Sequence, residues 1–280
     1  MIIDAHTHTF PEKIADKAVA KLEKMADSKA FIRATDSALT ESMKKAGIDI
    51  SVILPVATSP QQVEKLNDYS IAKNELFNET GLFFLGAMHP EYENYKSELR
   101  RIKEKGLTGI KIHPAYQATD LDDIRFLNII EEASSLDLAV VIHAGWDIGI
   151  MERNFASVDM ICNVLKKIAP KKFVAAHLGS WTDWDAVEST LAGEALYMDT
   201  SFIFDTEKSD KEKPYKMIET AQFERIVKKH GYEKILFGSD SPWSSQSESL
   251  KCVTQAALDK EKMHLLLGEN ARKLFDVPSV

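Results

Sequence analysis

Hydrophobic and polar positions alternate between two spacings along the chain. Short apolar runs, rich in Ile, Val, Leu and Phe, occupy Ile2–Ala5, Ser51–Leu54, Phe83–Ala87, Thr108–Ile112, Ala139–Ile142, Phe173–Ala176, Leu196–Asp199 and Ile235–Phe237. Several are apolar throughout, as expected for parallel strands covered on their outer face. Between them lie amphipathic stretches with helical spacing, among them Leu121–Ser135, Phe155–Ile168 and Tyr215–Lys229. Eight strand–helix units in 280 residues predict a single α/β domain over 1–280, a (β/α)8 barrel of the TIM type. No Pro- or Gly-rich linker divides the chain; Pro55, Pro90, Pro114, Pro170 and Pro242 sit beside the runs, where the chain turns sharply. The alternative is an open doubly wound sheet. Its Gly-rich first turn is missing here, because that turn reads His6-Thr-His-Thr-Phe.

Composition narrows the class of partner. The chain is 44% hydrophobic and 28% charged, an ordinary globular balance. A net charge of −8 argues against nucleic acid or an anionic membrane as the main partner. A small-molecule substrate is expected instead. Cys162 and Cys252 are the two cysteines, too few for a disulfide framework or a Cys-rich metal site, so a cytoplasmic protein is expected. No run approaches the roughly 18 apolar residues of a membrane span, and the first apolar run begins at once, as in an intact cytosolic chain. A homodimer through exposed helices is expected only by analogy of fold.

The polar residues at the ends of the runs carry the chemistry. The first run ends in Asp4-Ala-His6-Thr-His8, the fourth in Lys111-Ile-His113, the fifth in His143, the sixth in His177 and the eighth in Gly238-Ser-Asp240-Ser-Pro-Trp243. In a parallel barrel all these ends meet at one mouth. Residues two apart on a strand share a face, so His6 and His8 can grip one ion. A third His and an Asp would complete a catalytic site of imidazole and carboxylate, suited to Zn²⁺, with Fe²⁺, Mn²⁺ or Co²⁺ as alternatives. One ion is expected rather than two. Each residue also has a plainer reading. His89 and His113 precede prolines and could be hydrogen-bonded turn residues; His230 reads as a helix C-terminal residue; His264 falls in a helical segment. Trp181, Trp184 and Trp243 are either packing or substrate walls, and Lys111 could snorkel from the barrel.

The ordered set resembles a known family. Ile3-Asp-Ala-His6-Thr-His8, the strand-end His143 and His177, Gly238-Ser-Asp240-Ser-Pro-Trp243 and the closing Gly268-Glu-Asn270-Ala-Arg-Lys-Leu-Phe275 resemble the amidohydrolase superfamily. The chain is similar to the branch that contains aminocarboxymuconate-semialdehyde decarboxylase and related metal-dependent hydrolases. The resemblance implies His6, His8, His143 and Asp240 as metal ligands. It implies His177 as an acid/base or as a ligand to a second ion. Lys111 falls near a position that is carboxylated in two-metal members; the simpler reading is a free amine that binds a substrate carboxylate. Lys111, His113 and Trp243 are the candidate substrate contacts.

The expected mechanism is hydrolysis of a small, carboxylated molecule by a metal-activated water, whose pKa falls to about 7. Asp240 accepts its proton, and His177 positions the nucleophile or donates to the developing oxyanion. The runner-up is metal-dependent, non-oxidative decarboxylation on the same site. A third reading is a barrel that binds a ligand without catalysis, which the retained His and Asp set disfavours. The polar stretch Asp205–Tyr215 after the seventh run is long enough to form a lid.

Overall fold

A computed structural model describes residues 1–204, 215–256 and 258–278. All its strand pairs are parallel. In chain order the strands are β1 (Ile3–Thr7), β2 (Ile50–Ile53), β3 (Leu82–Phe84), β4 (Gly86–Ala87), β5 (Gly109–Ile112), β6 (Ala139–Ile142), β7 (Phe173–Ala175), β8 (Tyr197–Asp199) and β9 (Ile235–Leu236). They pair as β1-β2-β3 and β4-β5-β6-β7-β8-β9. β3 and β4 are the single run expected over Phe83–Ala87, interrupted at Leu85, whose N–H still bonds the Ile53 carbonyl at 3.0 Å. The other seam closes between β9 and β1. Ala5 N donates to Phe237 O at 2.7 Å, Asp240 N to His6 O at 2.9 Å, and His8 N to Ser241 O at 2.7 Å. The fold is therefore the expected closed barrel.

Alternate residues along each strand serve two cores. Ile110, Val140, Ile142, Phe173 and Phe237 pack outward with helix residues such as Phe126, Ile130, Ile161 and Phe223. Val52, Leu54, Leu85, Val141, Val174 and Leu236 form a second cluster, joined by Leu274 and Phe275 of the C-terminal turn. That packed interior leaves the site to the strand ends above it.

The helices start later than the apolar spacing suggests. The first two stretches form helices at Ile124–Ser135 and Val158–Ile168, capped by Asp123 accepting from Arg125 N and by Ser157 accepting from Met160 N. Leu121 and Phe155 belong to the approaches, joined by Leu121 N donating to Phe155 O at 2.9 Å. The third helix runs Thr220–His230. The lid expected over Asp205–Tyr215 lies outside the described residues except for Tyr215, whose ring packs on Trp181. Among the described residues no helix is long and apolar enough to cross a membrane.

Candidate active site

β1 does not alternate strictly. Ile3 and Asp4 pair with Ile50 and Ser51, but Thr7 pairs with Ile53, so β1 carries one extra residue between these points. The irregularity lets Asp4 and His6 go separate ways. Asp4 accepts from Ser239 N at 2.9 Å, Ser239 Oγ at 2.5 Å and Gln246 Nε2 at 2.8 Å. Burial raises its pKa to about 6 against those bonds. His6 instead meets the ends of β8 and β9.

Three donor atoms converge there. His6, His8 and Asp240 each offer one atom, all within 4.8 Å of one another. Asp240 Oδ1 lies 3.5 Å from His6 Nε2 and 3.2 Å from His8 Nε2. Both imidazoles are oriented from behind. His6 Nδ1 donates to Asp199 Oδ2 at 2.8 Å, and His8 Nδ1 to the Leu54 carbonyl at 2.8 Å. In the neutral ring each Nε2 then carries a lone pair, that of His6 also faced by Lys111 Nζ at 3.4 Å. Burial first, then the nearby Lys111, lower the His6 pKa to about 3, so that ring is neutral. Burial alone would raise the Asp199 and Asp240 carboxyls, but the histidines around them reverse the shift and keep both ionised. Two lone pairs and one carboxylate, backed by a carboxylate and a carbonyl, fit a divalent cation. Asp240 reaches the group from a left-handed backbone, φ 67°, at the exit of the last strand. Its carboxylate faces His6 and His8 rather than capping the turn before Pro242.

His143 and His177 stand beside this group. His177 Nδ1 lies 2.9 Å from Ser201 O and 3.0 Å from Ser201 Oγ. The Ser201 hydroxyl is committed to Asp199 Oδ1 at 2.5 Å, so His177 Nδ1 is the donor and its Nε2 is bare. That Nε2 faces His143 Nδ1 at 3.0 Å, while His143 Nε2 faces the Trp146 carbonyl at 3.1 Å. Two neutral rings carry two protons for three contacts. One added proton would satisfy all three contacts. Burial lowers both pKa values and keeps the resting pair neutral. As placed, neither nitrogen of His143 belongs to the His6, His8 and Asp240 group.

A second trio, His113, His143 and Asp147, also has metal-ligand composition. The His113 tautomer opposes that use. Tyr116 N donates to His113 Nδ1 at 3.3 Å, which leaves the His113 proton on Nε2. His230 is a satisfied core residue at its helix end, accepting from Gly193 N at 3.1 Å and donating to Leu196 O at 3.0 Å. His89 accepts from Glu91 N in a turn, and His264 ends the short helix Lys260–His264.

The cleft over these residues measures about 1040 Å³ out to its open mouth, room for a small molecule rather than a polymer. Phe10, Leu22, Trp146, Trp181, Phe202 and Trp243 wall it. Trp184 does not reach it; its indole donates to His177 O at 3.2 Å. Lys111 is 1% exposed, and among the described residues it is the one Lys or Arg lining the cleft. Its Nζ lies 3.4 Å from His6 Nε2, and burial lowers its pKa to about 8. Asp147, buried in the wall, is raised to about 7, chiefly by burial. Asp199, Ser201 and Asp147 are the parts that sequence reasoning missed. Asp199 could have been noticed as an acid closing an apolar run, as Asp240 nearly does.

With this geometry in view, comparison with known proteins decides the family. The amidohydrolase family model matches residues 3–277. This chain belongs to the amidohydrolase family. No curated protein matches it in sequence. The amidohydrolase is similar in fold to 5-carboxyvanillate decarboxylase from Sphingomonas paucimobilis, with 16% identity, TM-score 0.70 and 99% of each chain covered. It is also similar to 2,6-dihydroxybenzoate decarboxylase from Rhizobium, with 12% identity, TM-score 0.68 and 98% of each chain covered. A third similar structure is 5-carboxyvanillate decarboxylase from Novosphingobium aromaticivorans, which holds manganese and 3-methoxy-4-hydroxy-5-nitrobenzoic acid. It is 13% identical at TM-score 0.72, over 99% of this chain and 97% of that one.

Proposed function

We propose that this amidohydrolase is a metal-dependent, non-oxidative decarboxylase of a small, planar carboxylic acid. The observation that carries the reading is the pairing, in one aromatic-walled cleft, of the His6, His8 and Asp240 group with the buried cation Lys111. The decarboxylases among the structures of similar fold support it.

His6, His8 and Asp240 would hold the divalent ion, and His143, the further ligand the family motif implies, would have to turn from His177 and Trp146 to join them. When bound, the ion supplies positive charge to anchor the substrate oxygens and to stabilise charge left by the departing CO₂. The protein residues do the rest. Lys111 holds the carboxylate at the floor. The indole and phenyl walls keep the remaining ring in one plane and exclude water. Breaking the C–CO₂ bond leaves its electron pair on carbon, and one proton must arrive there. His177 delivers it from Nε2 after taking up a proton from solvent, and the Asp240 charge opposes the burial that keeps the resting ring neutral.

Hydrolysis is the second reading, favoured by the family's description and by a donor set that also suits activation of water. One experiment separates them. The metal-loaded enzyme is given aromatic and unsaturated carboxylic acids, and in parallel amides, esters and lactones. Release of CO₂ from the acids supports decarboxylation; acid or amine release from the second group alone overturns it.

A further inference from the structure

The geometry points to Asp147 and His113 as a hydroxyl-reading subsite: the substrate carries a hydroxyl group that donates to Asp147 Oδ2 and accepts from His113 Nε2. This rests on the decarboxylase reading and adds the substituent that the substrate must bear.

Asp147 is 5% exposed and lines the cleft. Its two oxygens are treated unequally. Oδ1 accepts the Gly149 N–H at 2.9 Å, inside the turn closed by Ile150 N donating to Asp147 O at 3.0 Å. Oδ2 lies 3.6 Å from His113 Nε2 and 3.6 Å from His143 Nε2, beyond a proper hydrogen bond. Beside the Gly149 and Ile150 N–H groups that hold the carboxylate, Oδ2 thus has no side-chain donor at normal distance among the described residues, a costly arrangement until a ligand supplies one. His113 stands opposite in the complementary condition. The Tyr116 N–H on its Nδ1 fixes the proton on Nε2, and that N–H has no acceptor at normal distance among the described residues. Its ring is clamped between those of Tyr116, at 4.0 Å, and His143, at 4.2 Å, so it cannot turn to find one.

A hydroxyl is the small group that answers both, since it donates one proton and accepts with its lone pairs. A methyl ether accepts but cannot donate. An aromatic amine donates but accepts poorly. A carboxylate is repelled by Asp147 and goes to the Lys111 ammonium instead. The cleft thus reads an acid at Lys111 and a hydroxyl at Asp147.

The test measures binding and turnover of hydroxybenzoate ring isomers beside their methyl ethers and amino counterparts. The metal-loaded enzyme is used well above the Asp147 pKa, and binding is followed by fluorescence of the cleft tryptophans. For the isomer that fits, the hydroxyl form should bind at least about tenfold tighter than its ether, as expected of a site built to pair a hydroxyl. In Asp147→Asn the Gly149 N–H keeps the amide oxygen, so the NH₂ faces the cleft and the preference should fall to within about twofold or reverse. Asp147→Ser, which removes the second oxygen, should abolish the preference as well and serves if the asparagine variant is unfolded. An unchanged hydroxyl-to-ether ratio in a folded variant overturns the subsite alone. Failure of the whole panel to bind or release CO₂ overturns the decarboxylase reading and the subsite with it.

Discussion

Asparagine at position 199 should disarm His6 without touching the cleft. Asp199 Oδ1 accepts two fixed backbone donors, His177 N at 3.0 Å and Ser201 N at 3.0 Å, besides the Ser201 hydroxyl. In Asp199→Asn the amide oxygen must stay with those donors, so the NH₂ takes the place of Oδ2, 2.8 Å from His6 Nδ1. Two donors then meet. His6 relieves the clash by moving its proton to Nε2, which removes the lone pair aimed at His8 and Asp240. Losing such an orienting partner costs about 10- to 100-fold in metal affinity, or about 1.4 to 2.7 kcal/mol. The lost charge-assisted hydrogen bond should also lower stability by about 1.5 to 3 kcal/mol. Competition with a chelator for Mn²⁺ and Zn²⁺, in wild type and variant, measures the first; urea unfolding of the stripped proteins measures the second. A folded variant that binds both metals within about twofold of wild type would refute the assignment of His6 Nε2 as the ligand atom.

Three further outcomes follow from the same geometry. Asp240→Asn should cut kcat at least about 100-fold while metal binding suffers less, because an amide oxygen still ligates but the lost charge no longer supports a protonated His177; near-native turnover with full metal content would count against it. Gly145→Ala should cost at least about 3 kcal/mol or abolish folding, since its φ is +86° and an added Cβ would stand 2.1 Å from Trp181 N; normal expression and melting would contradict this. His230 has its pKa lowered to about 4, chiefly by burial, so the unfolded chain takes up a proton before the folded one does. Stability is therefore complete above the unfolded value of about 6.5 and declines as pH falls towards about 4, by up to about 3 kcal/mol from this residue; His230→Gln should flatten that slope in urea titrations, and an unaltered slope would assign it elsewhere.

The barrel and the cast of its mouth were legible because both depend on short-range signals. Apolar runs that end in His or Asp mark strands and their exits, and a parallel barrel gathers those exits without further information. The orienting contacts were not legible. Asp199 lies 193 residues from His6, and nothing local says that its carboxylate faces that ring. Asp147 sits in a loop, four residues after His143, where an acid is ordinary. Strict alternation on β1 would also have put Asp4 on the face of His6 and His8. The extra residue in its register sends Asp4 to Ser239 and Gln246 instead, and a bulge leaves no mark in hydrophobic spacing. Nor could spacing say that His143 would spend its nitrogens on His177 and Trp146.

The central claim is tested most directly by following CO₂ from a hydroxylated aromatic acid through metal removal and return. Purified enzyme is stripped with a chelator, reloaded with Mn²⁺ or Zn²⁺, and compared with a His6→Ala, His8→Ala double variant treated alike. A metal-dependent decarboxylase should release no CO₂ when stripped, recover on reloading, and stay inactive in the double variant. CO₂ release that survives stripping would contradict the metal site. Reloaded enzyme that cleaves amides or esters but frees no CO₂ would contradict decarboxylation.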